Sequence, residues 1–208
     1  MKKLMIATIL VAVVVLSGCL SALHPLFTEK DLVFDPNLVG AWRVGSDEDV
    51  YTFERGTPQS FGNLPEGLQR LSGKGYLLTI EGKNAGEEKA KYYAFLARIG
   101  KHLYLDYFPT ETATQKGLAD FYKQGFLPMH TFYRLTPGSN SDTMTIGQFA
   151  EGYLRNLIDK KQIRIRHEVR VDGTYVITAP TEELQQYVVK YGDVDAAYED
   201  SKTYTRIK

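Results

Sequence analysis

Short segments that alternate apolar and polar residues recur along most of this 208-residue chain, with turn-forming residues between them. An alternation with a period of two places one side of a β-strand in the core and leaves the other side more exposed. Short connections between such segments favour antiparallel pairing. Nine segments are predicted as strands: 38–44, 50–54, 76–81, 92–99, 102–108, 129–136, 143–146, 163–171 and 175–178.

This pattern predicts a mainly β fold, an antiparallel β-barrel or sandwich with one or two C-terminal helices. Residues 148–161 carry apolar side chains at helical spacing, and a second helix is expected after Thr181, whose side chain can cap it. A further helix is expected around 114–123. Because no strand–helix–strand rhythm occurs, a doubly wound nucleotide-binding fold is excluded, and 38–208 is predicted to be a single β-rich domain.

The N-terminus has the pattern of a secretory signal. Lys2 and Lys3 precede an uncharged, largely apolar run at 4–16, which is shorter than the about 20 residues that a membrane-spanning helix needs. Leu16-Ser17-Gly18-Cys19 follows this run. This motif resembles the lipobox of bacterial lipoproteins, which implies that residues 1–18 are a signal peptide and that the Cys19 thiol carries a lipid. Two or more acyl chains would hold the protein stably on a membrane.

Cys19 is the only cysteine of the chain, so an intrachain disulfide and a thiolate-rich zinc site are excluded. Leu20 stands where an Asp often retains enteric lipoproteins in the inner membrane. The lipobox resemblance therefore implies an outer-membrane protein that faces the periplasm, if the cell is Gram-negative. Residues 19–37 would hold the anchor and then pack on the domain, because Leu26 and Phe27 are costly to expose.

Gly40 and Trp42 open the first predicted strand. This Gly-x-Trp pair resembles the motif of lipocalins, in which the Trp closes one end of an eight-stranded cup beneath an Arg from near the last strand. The resemblance implies that Trp42 is buried and lies near a ligand, and that Arg166 or Arg170 packs over it.

Four stretches also resemble a group of bacterial lipoproteins of unknown function. They span nearly all of the chain after Cys19, which implies a common location and one folded unit, and no particular activity. The stretches are 24–36, the Gly-x-Trp pair, 105–109 and 178–185.

Two predicted strands carry polar side chains that are candidates for a site. His102, Tyr104 and Asp106 share one face of the first strand, and His130 and Arg134 share a face of the second. If the two faces meet inside a barrel, they would form a polar cluster able to orient a ligand. The ligand spacings of known zinc motifs are absent, so no metal and no cofactor are predicted.

The chain contains 25 Lys and Arg and 25 Asp and Glu residues, so no positive excess favours nucleic-acid binding. No nucleophile elbow, phosphate loop or zinc-protease motif occurs. The sequence favours a non-enzymatic cell-envelope lipoprotein that binds a small apolar ligand or an envelope protein. The alternative is a hydrolase-like enzyme with a site around His102, Asp106 and His130.

A basic stretch precedes and enters the segment 163–171. It is either the solvated face of a strand or a contact for lipid phosphates. Its members are Lys160, Lys161, Arg164, Arg166 and Arg170.

Overall fold

The structure of the chain is a computed structural model that describes residues 20–45, 49–82, 89–110 and 127–208. The predicted signal peptide, Cys19 and the helix expected around 114–123 lie outside these residues.

Eight strands form a closed antiparallel barrel. Each strand from β2 to β7 pairs with the next one along the chain, and β11 pairs with both β8 and β2 to close the ring. The predicted mainly β fold with an antiparallel barrel is confirmed, and the sandwich alternative is excluded. The strands are β2 Gly40–Val44, β3 Val50–Arg55, β4 Gly75–Glu81, β5 Ala90–Ile99, β6 His102–Pro109, β7 His130–Pro137, β8 Thr143–Phe149 and β11 Tyr198–Arg206.

A small sheet extends from one edge of the barrel wall. It consists of β1 (Ser21–Ala22), β10 (Tyr175–Ile177) and β9 (His167–Val169). Strand β1 pairs antiparallel with the start of β7 and parallel with β10, and β10 pairs antiparallel with β9. The chain that follows the predicted lipid-attachment residue therefore enters the fold as a strand.

Two of the helices lie between β8 and β11, as the predicted C-terminal helices require. Thr181 does not cap the second of them: Pro180 takes the N-cap position, and the Thr181 hydroxyl donates to the Pro25 carbonyl oxygen over 2.8 Å. The α-helices are α1 Glu66–Gln69, α2 Glu151–Asp159 and α3 Thr181–Tyr191, and 3-10 helices cover Glu29–Asp31, Pro36–Leu38, Ser72–Lys74 and Asp195–Ala197.

The barrel wall separates two apolar cores. The barrel interior contains residues such as Trp42, Phe53 and Leu105. The second core, called here the outer layer, lies between the outside of β5–β8 and the N-terminal segment, α2 and α3, and contains residues such as Phe95 and Phe149. Strands β5 and β6 are therefore buried on both faces over most of their length.

The predicted strand at 163–171 is shorter in the structure, because β9 covers His167–Val169 alone. Its partner β10 ends at Ile177, and α3 begins soon afterwards behind Pro180. Next to the paired residues of β9 and β10, the backbone N–H groups of Thr178 and Ala179 both donate to the Arg166 carbonyl oxygen.

Candidate functional site

Trp42 closes one end of the barrel interior. Its side chain is 2 % exposed, and its indole Nε1 donates to the Leu38 carbonyl oxygen over 2.9 Å. Gly40 precedes it at a φ of +134°, a conformation that favours glycine. The residue thus lies in the core, at the position that the lipocalin resemblance implies.

The arginine over Trp42 is Arg206, so the expectation of Arg166 or Arg170 was wrong. The Arg206 guanidinium carbon lies 4.3 Å from the Trp42 ring centroid. Arg206 is paired with Trp42 in the β2–β11 register and donates to the carbonyl oxygens of Val39, over 2.9 Å, and Asn37. These contacts attach the segment before β2 to the last strand and combine cation–π with hydrogen-bond stabilisation.

A cavity of about 330 Å³ lies at this end of the barrel. Its volume falls within the range typical of small-molecule sites, and an apolar floor with a few polar groups at the rim is their usual lining. The floor consists of Leu38, Trp42, Leu96, Leu135 and Met144, and the rim of Asp35, Asn37 and the β7–β8 turn at 137–143.

The first side of the rim is held by the segment before β2. The Asp35 carboxylate accepts from the Asn37 backbone N–H over 2.9 Å, and the Tyr76 hydroxyl both accepts from the Asp35 N–H and donates to its carbonyl oxygen. Burial raises the pKa of Tyr76 to about 12, so the hydroxyl stays a donor at neutral pH. These bonds fix this side of the rim.

The second side of the rim is the β7–β8 turn. The Asn140 side-chain oxygen accepts from the Asp142 N–H and from the Thr143 hydroxyl, and the Gly138 N–H donates to the Thr143 carbonyl oxygen. The two sides of the cavity mouth are thus set by local bonds and are preorganised for a ligand.

The opposite end of the barrel interior contains five tyrosines on inward-facing positions. The ring centroids of Tyr107 and Tyr133 are 4.7 Å apart, and those of Tyr51 and Tyr204 are 5.2 Å apart. Tyr92 packs 6.0 Å from Tyr107. Sequence reasoning missed this cluster, because Tyr204 lies on β11, a strand that was not predicted, and the alternation of β5 and β6 does not show which face points inwards.

Tyr107 is the most deeply placed member of this cluster, with 4 % of its surface exposed. Burial raises its pKa well above the usual value, so the phenol is neutral. Within the described part of the chain, its hydroxyl has no hydrogen-bond partner. Such a group carries a desolvation cost, which distinguishes this end of the barrel from the hydrogen-bonded Trp42 end.

The polar faces predicted on two strands do meet, but outside the barrel. The register of β6 and β7 pairs Tyr104 with Arg134 and Asp106 with Phe132, and all four side chains belong to the outer face of the wall. The expectation of a polar cluster inside the barrel is therefore corrected. The alternating residues Leu103, Leu105 and Tyr107 of β6 and Leu135 of β7 take the interior positions instead.

Asp106 and His130 form a buried pair in the outer layer. The imidazole Nδ1 of His130 lies 2.6 Å from Asp106 Oδ1, and Asp106 Oδ2 accepts from the Leu26 backbone N–H over 2.8 Å. Asp106 is 0 % exposed and His130 is 5 % exposed. The Phe108 ring packs 4.7 Å from the imidazole. The carboxylate thereby orients the histidine and attaches the N-terminal segment to the barrel.

His102 does not join this pair. It stands four residues from Asp106 along the same strand, a separation of about 13 Å at about 3.3 Å per residue. Its imidazole Nε2 instead lies 2.9 Å from Asp193, which also pairs with Lys101 over 2.7 Å. The hydrogen bond from Lys101, followed by the hydrogen bond with His102, lowers the pKa of the Asp193 carboxyl. The three residues of the hydrolase alternative are therefore not assembled into one site.

Tyr104 and Arg134 hold the end of α3 against the barrel. Arg134 donates to the Gly192 carbonyl oxygen over 2.6 Å and stacks 3.9 Å above the Tyr198 ring, while the Tyr104 hydroxyl donates to the Val188 carbonyl oxygen. Both predicted ligand-binding residues thus make structural contacts. Among the residues predicted to bind a ligand, Trp42 lines the cavity at the end of the barrel.

In the ranges that the structure describes, no group of three or more His, Cys, Asp or Glu side chains is arranged to hold a metal ion. Among the same residues, no helix has the length and apolar character needed to cross a membrane. No known family, no curated protein and no solved structure matches this chain.

Proposed function

We propose that this protein is a lipid-anchored lipoprotein of the bacterial cell envelope whose barrel binds a small apolar ligand in the cavity beside Trp42. The observation that carries the ligand-binding part is this cavity of about 330 Å³, with its apolar floor and its hydrogen-bonded polar rim. The proposed function is binding and not catalysis, because His102 pairs with Asp193 and does not join Asp106 and His130 in one site.

The lipid attachment is supported by the sequence at 16–19 and by the structure that follows it. Leu20 is 2 % exposed and Ser21 is paired in β1, so the fold begins directly after Cys19, with no long tether. Under this proposal the domain lies close to the membrane surface. In a Gram-negative cell this is the outer membrane, facing the periplasm.

Ligand binding is tested by filling the cavity. Leu135→Phe adds volume at a lining position, whereas Leu103→Phe makes the same change at the residue directly opposite in the β6–β7 register, which does not line the cavity. Aminoanthracene is the apolar probe, and its fluorescence rises on transfer from water. We expect saturable binding to the unmodified chain and to Leu103→Phe, and a tenfold or greater loss with Leu135→Phe.

Urea unfolding of both variants establishes that they are folded. Native mass spectrometry of the protein purified from its own envelope then looks for a co-purifying small molecule. Equal probe binding by the two variants would contradict the cavity site, and a co-purifying protein instead of a small molecule would favour a protein partner.

Lipid attachment is tested by the mass of the mature protein. We expect a chain that begins at Cys19 with added acyl mass, and an unprocessed precursor from Cys19→Ser. A mature chain with an unmodified Cys19 would contradict the anchor, and fractionation with the inner membrane of a Gram-negative cell would contradict the outer-membrane location.

A further inference from the structure

We infer that the tip of the β9–β10 hairpin, residues 169–173, lies in the headgroup layer of the anionic membrane that carries the protein. This inference rests on the lipid attachment proposed above and specifies which surface of the domain the membrane contacts. Three observations support it: the direction of β1, the exposed side chains of the tip and the charge of the adjoining segment.

The direction of β1 places the attachment residue and the tip on the same side of the small sheet. Ser21 pairs with Val176 and Ala22 with Ile177 in a parallel register. Following either strand backwards therefore leads the same way, from β1 towards Cys19 and from β10 towards the tip. Covalent geometry keeps the Cα atom of Cys19 within about 7 Å of that of Ser21.

The tip is also close to β1 across the sheet. Adjacent strands lie about 4.8 Å apart, so β9 runs about 10 Å from β1 with β10 between them. The Tyr175 N–H, at the start of β10, donates to the Glu151 carboxylate, and the Gly173 carbonyl oxygen accepts from Arg155. These contacts fix the hairpin on the start of α2, so it projects beside the attachment point.

Two apolar side chains of the tip face solvent. Val171 is fully exposed and Val169 is 53 % exposed, with the exposed Arg170 between them. Single exposed apolar residues are common on soluble surfaces, but two on one five-residue tip beside an anchor form a local apolar contact. Valine side chains with a neighbouring arginine suit the boundary between acyl chains and phosphate groups.

The adjoining segment complements an anionic surface. Residues 158–172 carry five Lys or Arg and three Asp or Glu, an excess of two positive charges in a chain whose total formal charge is zero. The acidic groups on this segment are Asp159, Glu168 and Asp172. Asp172 lies 3.8 Å from Arg170, and Arg166 pairs with Glu183 over 2.8 Å. Negatively charged lipids attract basic segments close to a membrane.

An open groove continues from this segment. Its volume is about 620 Å³, its apolar floor is formed by Ile158, Ile163 and Ile165, and its basic rim includes Lys161 and Arg164. Surfaces that rest on anionic lipids typically combine apolar residues with flanking arginine and lysine. The long basic side chains of such surfaces reach the lipid phosphate groups.

The inference is tested with the full lipidated chain in vesicles. Because lipid occupies the native cysteine, Val171→Cys can be labelled specifically with the fluorophore NBD. The matched control is Val189→Cys, which is also an exposed valine, at 59 % exposure, but lies on α3 beside Gly100 in the β5–β6 turn. The vesicles contain phosphatidylethanolamine with phosphatidylglycerol, and part of the lipid carries a doxyl quencher just below the headgroup.

We expect quenching at position 171 to exceed that at 189 several-fold, and Arg170→Glu to reduce it in vesicles that contain phosphatidylglycerol. Equal quenching at the two positions in a chain that floats with the vesicles overturns this inference and leaves the anchor intact. A chain that does not float with the vesicles overturns the anchor and the inference together. Protection of position 171 by an envelope protein, without lipid quenching, also overturns it and indicates a protein partner.

Discussion

The inner face of the barrel wall and the outer face of β5–β8 are both largely buried, yet they are built differently. The interior is apolar and aromatic, with a cavity at the Trp42 end and, at the tyrosine end, a phenol that has no hydrogen-bond partner among the described residues. The outer layer is closed by the N-terminal segment and two helices, and it buries the hydrogen-bonded pair formed by Asp106 and His130. Burial alone therefore does not indicate a binding site, because the buried polar pair is structural and the cavity is apolar.

The two faces differ because they pack against different parts of the chain. The outer face packs against other parts of the same chain, and its Asp106 carboxylate accepts from the Leu26 backbone N–H. The interior receives Leu38 from the segment before β2 at its Trp42 end, and its strands leave a cavity there. Four predictions test this contrast, from the largest expected effect to the smallest.

The largest effect is expected at Trp42. Trp42→Ala should lower the free energy of unfolding by about 3–5 kcal/mol, because it removes a large buried side chain and enlarges the cavity beneath Arg206. Urea unfolding followed by far-UV circular dichroism measures the loss, and Trp42→Phe, which keeps most of the apolar area, should lose less. A loss of about 1 kcal/mol or less would mean that the interior does not depend on its closing residue.

In the outer layer, Asp106→Ala should cost about 3 kcal/mol, because it leaves the His130 imidazole and the Leu26 N–H without their acceptor and each unsatisfied group costs about 1–3 kcal/mol. Hydrogen exchange at the Leu26 amide should accelerate in the same variant. The matched control is Asp193→Ala, which breaks the exposed contact with His102 and should leave the urea midpoint nearly unchanged. Equal effects of the two changes would contradict a structural role for the buried pair.

The antiparallel β fold was predictable from the sequence, because most of its strands alternate clearly and their turns are short, but the sequence left both a barrel and a sandwich open. Gly100 in the β5–β6 turn and Gly173 in the β9–β10 turn both take a positive φ, as turn glycines commonly do. What alternation could not show is which face of β5 and β6 points inwards. Residues 93–97 and 103–105 are apolar on both faces, and a strand buried on both sides has little polar character to mark the exterior.

The last strand was missed for the opposite reason. Residues 198–206 are mostly polar, and the register shifts between Glu199 and Lys202, where Asp200 has a φ of +48°. This irregularity interrupts the alternation, so Arg206 was not identified and Arg166 and Arg170 were proposed in its place. The cavity was not predictable either, since it depends on how side chains from five separate segments pack.

The third prediction uses pH to test the Trp42 end of the interior, where Tyr76 holds the cavity rim. The pKa of Tyr76 rises on folding from an ordinary value of 10 to about 12, so the folded state holds its proton more tightly than the unfolded chain. Its contribution to stability is complete below pH 10 and falls as the pH rises to 12, by about 1.4 kcal/mol per pH unit. Urea midpoints measured across this range, with Tyr76→Phe as the control, should show a shallower fall in the variant. Identical slopes would contradict the assignment.

The smallest effect is expected at the tyrosine end of the interior. Tyr107→Phe removes a buried hydroxyl that has no partner among the described residues and keeps the ring that packs on Tyr133. Because the lost group was desolvated without a hydrogen bond, the free energy of unfolding should stay the same or rise by about 1 kcal/mol. Tyr76→Phe is the matched comparison, since its hydroxyl makes two bonds with Asp35 and its removal should destabilise the protein. If Tyr107→Phe loses as much stability as Tyr76→Phe, the Tyr107 hydroxyl has a hydrogen-bond partner inside the barrel. The apolar character assigned to this end of the interior would then be wrong.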